Sequence, residues 1–282
     1  MDLERLLRTR FGLVDVEVEP HDGGMNSRTW WVRAGDGVEA SYVAKWVADA
    51  AVGSLAAGVE AAAVAERSGV VTGAPVAAVG GDRVVLVDGG SLVLMERLSG
   101  TEVVDGAVVG DILARVHTAT VGHDLVLGLR WPWVEPAGLS AWPDLQDAVS
   151  AALTEMLALG PLVTGIAHGD PATDAFLHLD DGRLAVIDWA GALAAPLLYD
   201  VASAAMYLGG LQAAAPMLTA YADSDGPATP DLPHVETMLR FRWAVQADYF
   251  ARRAAGGDPL GTDDAAIDKG LADARHHLLA HP

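Results

Sequence analysis

The sequence predicts an α+β protein of two lobes: an N-terminal lobe of antiparallel sheet with one helix, then a larger, mainly helical lobe. Three observations carry this. Residues 13–96 contain short apolar runs, several alternating with period two, broken by Gly and Asp pairs around one alanine-rich helical stretch. Beyond about residue 104 the apolar spacing turns helical and, with one interruption, stays so. That interruption is residues 166–190, IAHGDPATDAFLHLDDGRLAVIDWA, a hairpin holding the chain's most specific polar groups.

In order, residues 1–10 read as a short helix, with Leu3, Leu6 and Leu7 at helical spacing. Val14, Val16 and Val18 alternate into a first strand, Thr29–Val32 resumes as a second, and Tyr42–Val47 forms a third. The loop between the first two, Asp22–Arg28 with Asn26 and Ser27, is glycine-containing and can lie over phosphates with its backbone N–H groups. Residues 54–67 form the alanine-rich helix, ended by Ser68-Gly69. Val76–Val79, Val84–Val87 and Ser91–Glu96 read as further strands. Glu96–Gly100 leaves the strand pattern without a turn dipeptide and marks the connector, dividing lobe 1–97 from lobe 98–282. Helices are expected at 109–117, 144–159, 197–209, 211–222, 233–254 and 263–279. An aromatic loop, Trp131-Pro132-Trp133 to Ala141-Trp142-Pro143, separates the first two.

Composition bounds the function. An apolar fraction of 51% over 282 residues supports a full core rather than disorder. Without cysteine, neither disulfides nor thiolate metal sites are available. A net charge of -20 repels nucleic acid and anionic membranes and suits a cationic small molecule. MDLERLLRTRFG lacks the apolar core of a signal peptide, so the cytoplasm is the expected location; no stretch marks an interface, which leaves a monomer as the default expectation.

Within the hairpin, Asp180-Asp181-Gly182-Arg183 is the turn between two apolar runs. His168-Gly169-Asp170 precedes the first strand and Ile187-Asp188-Trp189 ends the second, so two carboxylates, Asp170 and Asp188, meet at one end. Phosphoryl transfer uses such a pair: one orients a hydroxyl and accepts its proton, the other holds Mg²⁺ on nucleotide phosphates. Lys45, one of only two lysines, sits in an apolar strand after the glycine loop, where a compact charge fits phosphates. Glu60, among the alanines, can pair with it.

These residues, with Leu92–Leu98, Ala114–His117 and Leu198–Ala202, resemble the aminoglycoside phosphotransferase family, which has a protein-kinase-like fold. The resemblance covers most of the chain. It implies Asp170 as the catalytic base, Asp188 on Mg²⁺, and Lys45 on the α/β-phosphates of ATP or GTP, held by Glu60. It also implies that the backbone at Glu96 and Leu98 bonds a purine base, and that Asp200 supports the catalytic loop. One position departs: where the family usually places a metal-binding asparagine, this chain has Ala175, and the adjacent Asp174 offers a carboxylate instead.

In such a protein the acceptor site lies among the C-terminal helices, where Trp243, Gln246, Asp248 and Tyr249 offer stacking, hydrogen bonds and negative charge. The expected activity is ATP- or GTP-dependent O-phosphorylation of a cationic hydroxylated antibiotic, an aminoglycoside or a capreomycin/viomycin-type peptide. Its rivals are a metabolic kinase for an amino sugar, choline-like alcohol or hydroxy-amino acid, and a catalytically silent nucleotide-binding protein.

Overall fold

Period-two alternation organises the N-terminal lobe. A computed structural model describes residues 2–21, 27–35, 41–256 and 264–280. Strands β1 (Glu17–His21), β2 (Arg28–Arg33), β3 (Tyr42–Ala48), β4 (Val85–Val87) and β5 (Gly90–Glu96) form one antiparallel sheet, in the order β1-β2-β3-β5-β4. Val32, Ala44, Leu92 and Leu94 are buried on one face against Leu3, Leu7 and Phe11 of helix α1 (Leu3–Phe11). Val47 and Val93 on the other face pack on Leu55 and Val59 of α2 (Val52–Arg67). Lys45 lies between Ala44 and Trp46 and opposite Val93, so the pleat puts it on the α2 side.

Residues 76–79 do not form the expected strand. Val76 N–H bonds Leu94 O, but Ala78 then closes a turn with Asp82 O and Val79 N–H turns away to Arg10 O at the end of α1. The connector after Glu96 does something the sequence reading left out. It continues as β6 (Gly100–Glu102), which pairs with β8 (Phe176–Leu179), itself paired with β9 (Leu184–Val186). All of β6 is exposed, so no apolar alternation announces it.

The second lobe is built from α3 (Gly106–Thr120), α4 (Pro143–Leu157), α5 (Leu198–Tyr207), α6 (Ala215–Asp223), α7 (Val235–Gly256) and α8 (Asp264–Leu279). Asp105 caps α3 by accepting from Ala107 N–H, a contact that stabilises a helix by about 1 kcal/mol. Two short strands, β7 (Thr164–Ala167) and β10 (Leu193–Pro196), pair antiparallel beneath the hairpin's open end. Leu113, Leu145, Ile166, Phe176, Leu198 and Phe241 share one large core.

Helix α2 joins that core through Ala57, Ala61, Ala62 and Ala65. Small side chains let it come very close. A Cβ on Gly58 would lie 2.4 Å from the Trp189 carbonyl oxygen, so the helix backbone rests on the turn after Asp188. Among the described residues, no helix is long and apolar enough to cross a membrane.

Candidate active site

Asp170 follows β7 and Asp188 follows β9, and glycine brings their loops into contact. Gly169 has φ +87°, and a Cβ there would meet Gly191 O at 1.9 Å. Gly191 lies in the turn after Asp188, and its own Cβ would stand 3.4 Å from that of Asp170. The two carboxylate loops therefore touch through bare backbone. Asp188 itself has φ 63° and ψ 57°, a left-handed conformation uncommon for non-glycine residues, though aspartate tolerates it better than most.

A buried network fixes the Asp170 loop. Asp200, fully buried on α5, accepts the His168 N–H at 2.6 Å and the Gly169 N–H at 2.8 Å. His117 Nε2 reaches the same carboxylate at 3.2 Å, and His117 Nδ1 lies 2.8 Å from Tyr221 OH, which accepts the Ala228 N–H at 3.0 Å. Every group is satisfied when the Tyr221 hydroxyl donates to Nδ1 and the His117 Nε2–H donates to Asp200. Burial pushes the Tyr221 pKa up, which keeps that phenol a donor. The His168 ring bonds Ile187 O through Nε2 at 2.9 Å and stands edge-on to Trp189, bracing one loop against the other.

Lys45 reaches this corner. Its Nζ donates to Asp188 Oδ1 at 2.6 Å. Burial disfavours the Asp188 charge, but Lys45 and the Ala190 amide outweigh it and hold the carboxyl below the ordinary carboxylate range. Glu60 does not take the expected place beside Lys45. It lies on the exposed face of α2, while the helix turns its alanines inward, and Asp188 is the lysine's partner. Thr29 stands opposite Lys45 in the ladder, and Ser27 Oγ lies 3.3 Å from Thr29 Oγ1, so Ser27 is close to the lysine's face. Asn26 and most of its loop lie outside the described residues.

At the connector, the Glu96 N–H is taken by Ala74 O and the Arg97 N–H by Ser41 O. The Leu98 N–H makes no backbone bond among the described residues. Of the two positions expected to bond a base, Leu98 thus keeps its donor free, whereas Glu96 has only its carbonyl to offer.

The donor set suits a divalent cation held jointly with phosphates. Asp188 is 56% exposed, and Lys45 occupies only its Oδ1. Among the described residues no three His, Cys, Asp or Glu side chains group closely enough to hold a metal alone. Mg²⁺ ordinarily uses one or two carboxylates with substrate oxygens and water, so the fit is sound. Ala175 is buried in the turn of residues 173–175, and its carbonyl accepts the Ile187 N–H at 2.9 Å. Asp174 is exposed on that turn.

The four acceptor candidates on α7 are used for packing. Trp243 stacks on His277 of α8 with centroids 3.9 Å apart, and Gln246 Nε2 donates to Gly270 O on the same helix. Tyr249 stands beside Phe250 and under Arg253. Asp248 is buried and accepts from Arg252 Nε at 2.9 Å, and Arg252 also reaches Glu135. Burial raises the Asp248 pKa against the pull of Arg252. Trp243 and Gln246 thus tie α7 to α8, while the Phe250 and Arg253 that flank Tyr249 lie on α7 itself.

The α7 residue that does reach Asp170 is Arg242. Its Nη2 lies 3.2 Å from Asp170 Oδ1, and Tyr207, at the end of α5, donates its hydroxyl to the same oxygen. The sequence reading missed both. A signal existed: Met238, Phe241, Arg242, Val245 and Asp248 fall on buried positions at helical spacing, so an arginine there breaks the apolar pattern.

A two-lobed scaffold with a hairpin carrying paired aspartates, facing a strand lysine, defines a protein-kinase-like phosphotransferase. The profile of the phosphotransferase enzyme family (APH) matches residues 17–236, and the chain belongs to that family. It is a small-molecule phosphotransferase with an alcohol group as acceptor. Solved structures share the fold at low identity. An amicoumacin kinase, hAmiN, in complex with AMP-PNP, Ca²⁺ and Ami has a TM-score of 0.76 at 13% identity, covering 100% of this chain and 95% of its own. A microcompartment-associated aminopropanol kinase gives 0.74 at 16%, covering 98% and 94%. Spectinomycin phosphotransferase APH(9)-Ia, in complex with ADP and spectinomycin, gives 0.66 at 12%, covering 99% and 97%. No curated protein sequence matches the chain.

Proposed function

We propose that this chain uses ATP or GTP to phosphorylate a hydroxyl of a small cationic antibiotic, of the aminoglycoside or capreomycin/viomycin type. The observation that carries the reading is the corner where Lys45 meets Asp188 while the Gly169–Gly191 contact holds Asp170 alongside. The net charge of -20 favours a cationic acceptor by long-range attraction. Two of the similar folds carry amicoumacin and spectinomycin in their names.

Asp170 orients the acceptor hydroxyl and takes its proton, and Lys45 balances charge on the nucleotide phosphates. Asp188, with Asp174 beside the hairpin, would hold Mg²⁺. Bound there, Mg²⁺ supplies charge neutralisation on the phosphates. A metabolic kinase for an amino alcohol is the second reading, favoured by the likeness to the aminopropanol kinase.

The test is mass spectrometry with Mg-ATP and Mg-GTP against aminoglycosides, tuberactinomycin peptides, amino sugars and amino alcohols, with Asp170→Ala as control. A phosphate-mass gain on an antibiotic, absent in the control, is the expected result. Gain on an amino alcohol alone would replace the antibiotic reading with the metabolic one. Nucleotide binding without turnover on any acceptor would point to the silent protein. In the same assay Asp174→Ala should raise the Mg²⁺ concentration needed for half-maximal rate. An unchanged requirement would leave Asp188 as the sole carboxylate ligand.

A further inference from the structure

Asp170 is held on one side only. Its Oδ1 carries both protein donors, while Oδ2 carries none among the described residues, and the side chain is 53% exposed. The donors come from different helices, Tyr207 ending α5 and Arg242 rising from α7 with 8% exposure. They also bond each other, Arg242 Nη2 to Tyr207 OH at 3.1 Å, with the guanidinium over the tyrosine ring at 5.7 Å.

An arginine whose only task was to tether a carboxylate would fork onto both oxygens, the usual and stronger geometry. Arg242 forgoes it. Nη2 alone meets the carboxylate, at one of its oxygens, and shares itself with Tyr207 OH, while Nε is buried without a partner. The arrangement costs a hydrogen bond and leaves Oδ2 clear. A carboxylate with two donors on Oδ1 cannot turn about its Cβ–Cγ bond without losing both.

We infer that Tyr207 and Arg242 are positioning residues for phosphoryl transfer, fixing Oδ1 so that Oδ2 is the oxygen that receives the acceptor's proton. The inference rests on the kinase reading above. In that step the acceptor oxygen forms a bond to the γ-phosphorus as the bond to the β,γ-bridging oxygen breaks. The hydroxyl proton passes to Oδ2, and the nucleoside diphosphate leaves with the electron pair. Burial and the neighbouring Asp170 push the Tyr207 pKa up, so its hydroxyl stays a donor. Arg242 stays charged, because Tyr199, Tyr207 and Asp170 offset the cost of its burial.

The experiment uses the full chain with Mg-ATP. Water is the acceptor in one arm; spectinomycin and 1-amino-2-propanol are probes in others. Tyr207→Phe should lower kcat about tenfold and Arg242→Met about a hundredfold, the scale of a misplaced reacting group, with the nucleotide KM little changed. Arg242→Lys, which keeps a charged donor, should fall between wild type and Arg242→Met. Tyr207→Phe removes one hydroxyl from a partly exposed side chain, so it stays informative even where Arg242→Met folds poorly. On an Asp170→Asn background it should cost nothing further, whereas a merely structural tyrosine would cost the same on both. Wild-type kcat in Tyr207→Phe, or an equal loss on both backgrounds, would overturn the inference alone. A wild type that binds nucleotide but turns over neither water nor any acceptor of the full panel above would be the silent protein, defeating the kinase reading and the inference with it.

Discussion

Asp170→Asn should slow phosphoryl transfer by about 10²–10⁴-fold, the usual worth of a general base, while nucleotide affinity holds. The substitution is isosteric. Its carbonyl can still accept from Tyr207 and Arg242, which turns the amide nitrogen toward the acceptor. That nitrogen carries hydrogens and has no free pair for a proton. Lys45, Asp188 and the connector backbone are untouched, so the nucleotide dissociation constant should stay near the wild-type value. Single-turnover transfer and equilibrium nucleotide binding, measured on the same preparation, check both halves. A kcat within threefold of wild type would remove Asp170 from the base role. A parallel loss of nucleotide binding would instead make it a part of the loop's architecture.

Asp200→Ala should abolish transfer and destabilise the whole protein. Its carboxylate is fully buried and receives the His168 and Gly169 amides as well as His117. Removing it leaves those donors without an acceptor in a place water does not reach. Breaking one side of a buried charged contact costs about 3–5 kcal/mol. For a chain of this size that corresponds to a fall in Tm of order 10 °C. Calorimetry of Asp200→Ala beside Tyr221→Phe separates the contributions. The tyrosine variant strands His117 Nδ1 and the Ala228 N–H, costing about 1–3 kcal/mol for each unpaired group, but it leaves the loop's own acceptor in place and should keep most activity. Equal melting of wild type and Asp200→Ala would show that the loop is held by other contacts.

How much of this was legible in the sequence depended on how far apart the interacting residues lie. The hairpin was plain because its turn, its alternation and its two aspartates are local. The long helices were plain for the same reason. Strands β6, β7 and β10 were not, because each is three or four residues long and is defined by a distant partner rather than by its own pattern. Lys45 was legible as a rare lysine in an apolar strand, whereas Glu60 was misplaced. An alanine-rich helix has little amphipathic contrast, so its sequence does not reveal which face turns outward. The choice of Trp243, Gln246, Asp248 and Tyr249 followed chemical type. Packing competes with that choice: α7 lies against α4, α5 and α8, Trp243 and Gln246 contact α8, and Asp248 is buried. Arg242 was hidden among them because what marks it is a contact with Asp170, 72 residues earlier.

The seat of α2 on the turn after Asp188 bears on how the two open and close in solution. With the Gly58 backbone against Trp189 O, the helix bordering the lysine's face and the turn after Asp188 are in direct backbone contact. Drawing the helix aside would therefore have to carry that turn with it. Hydrogen exchange should find the amides of α2 and of residues 189–192 opening together, as one cooperative unit.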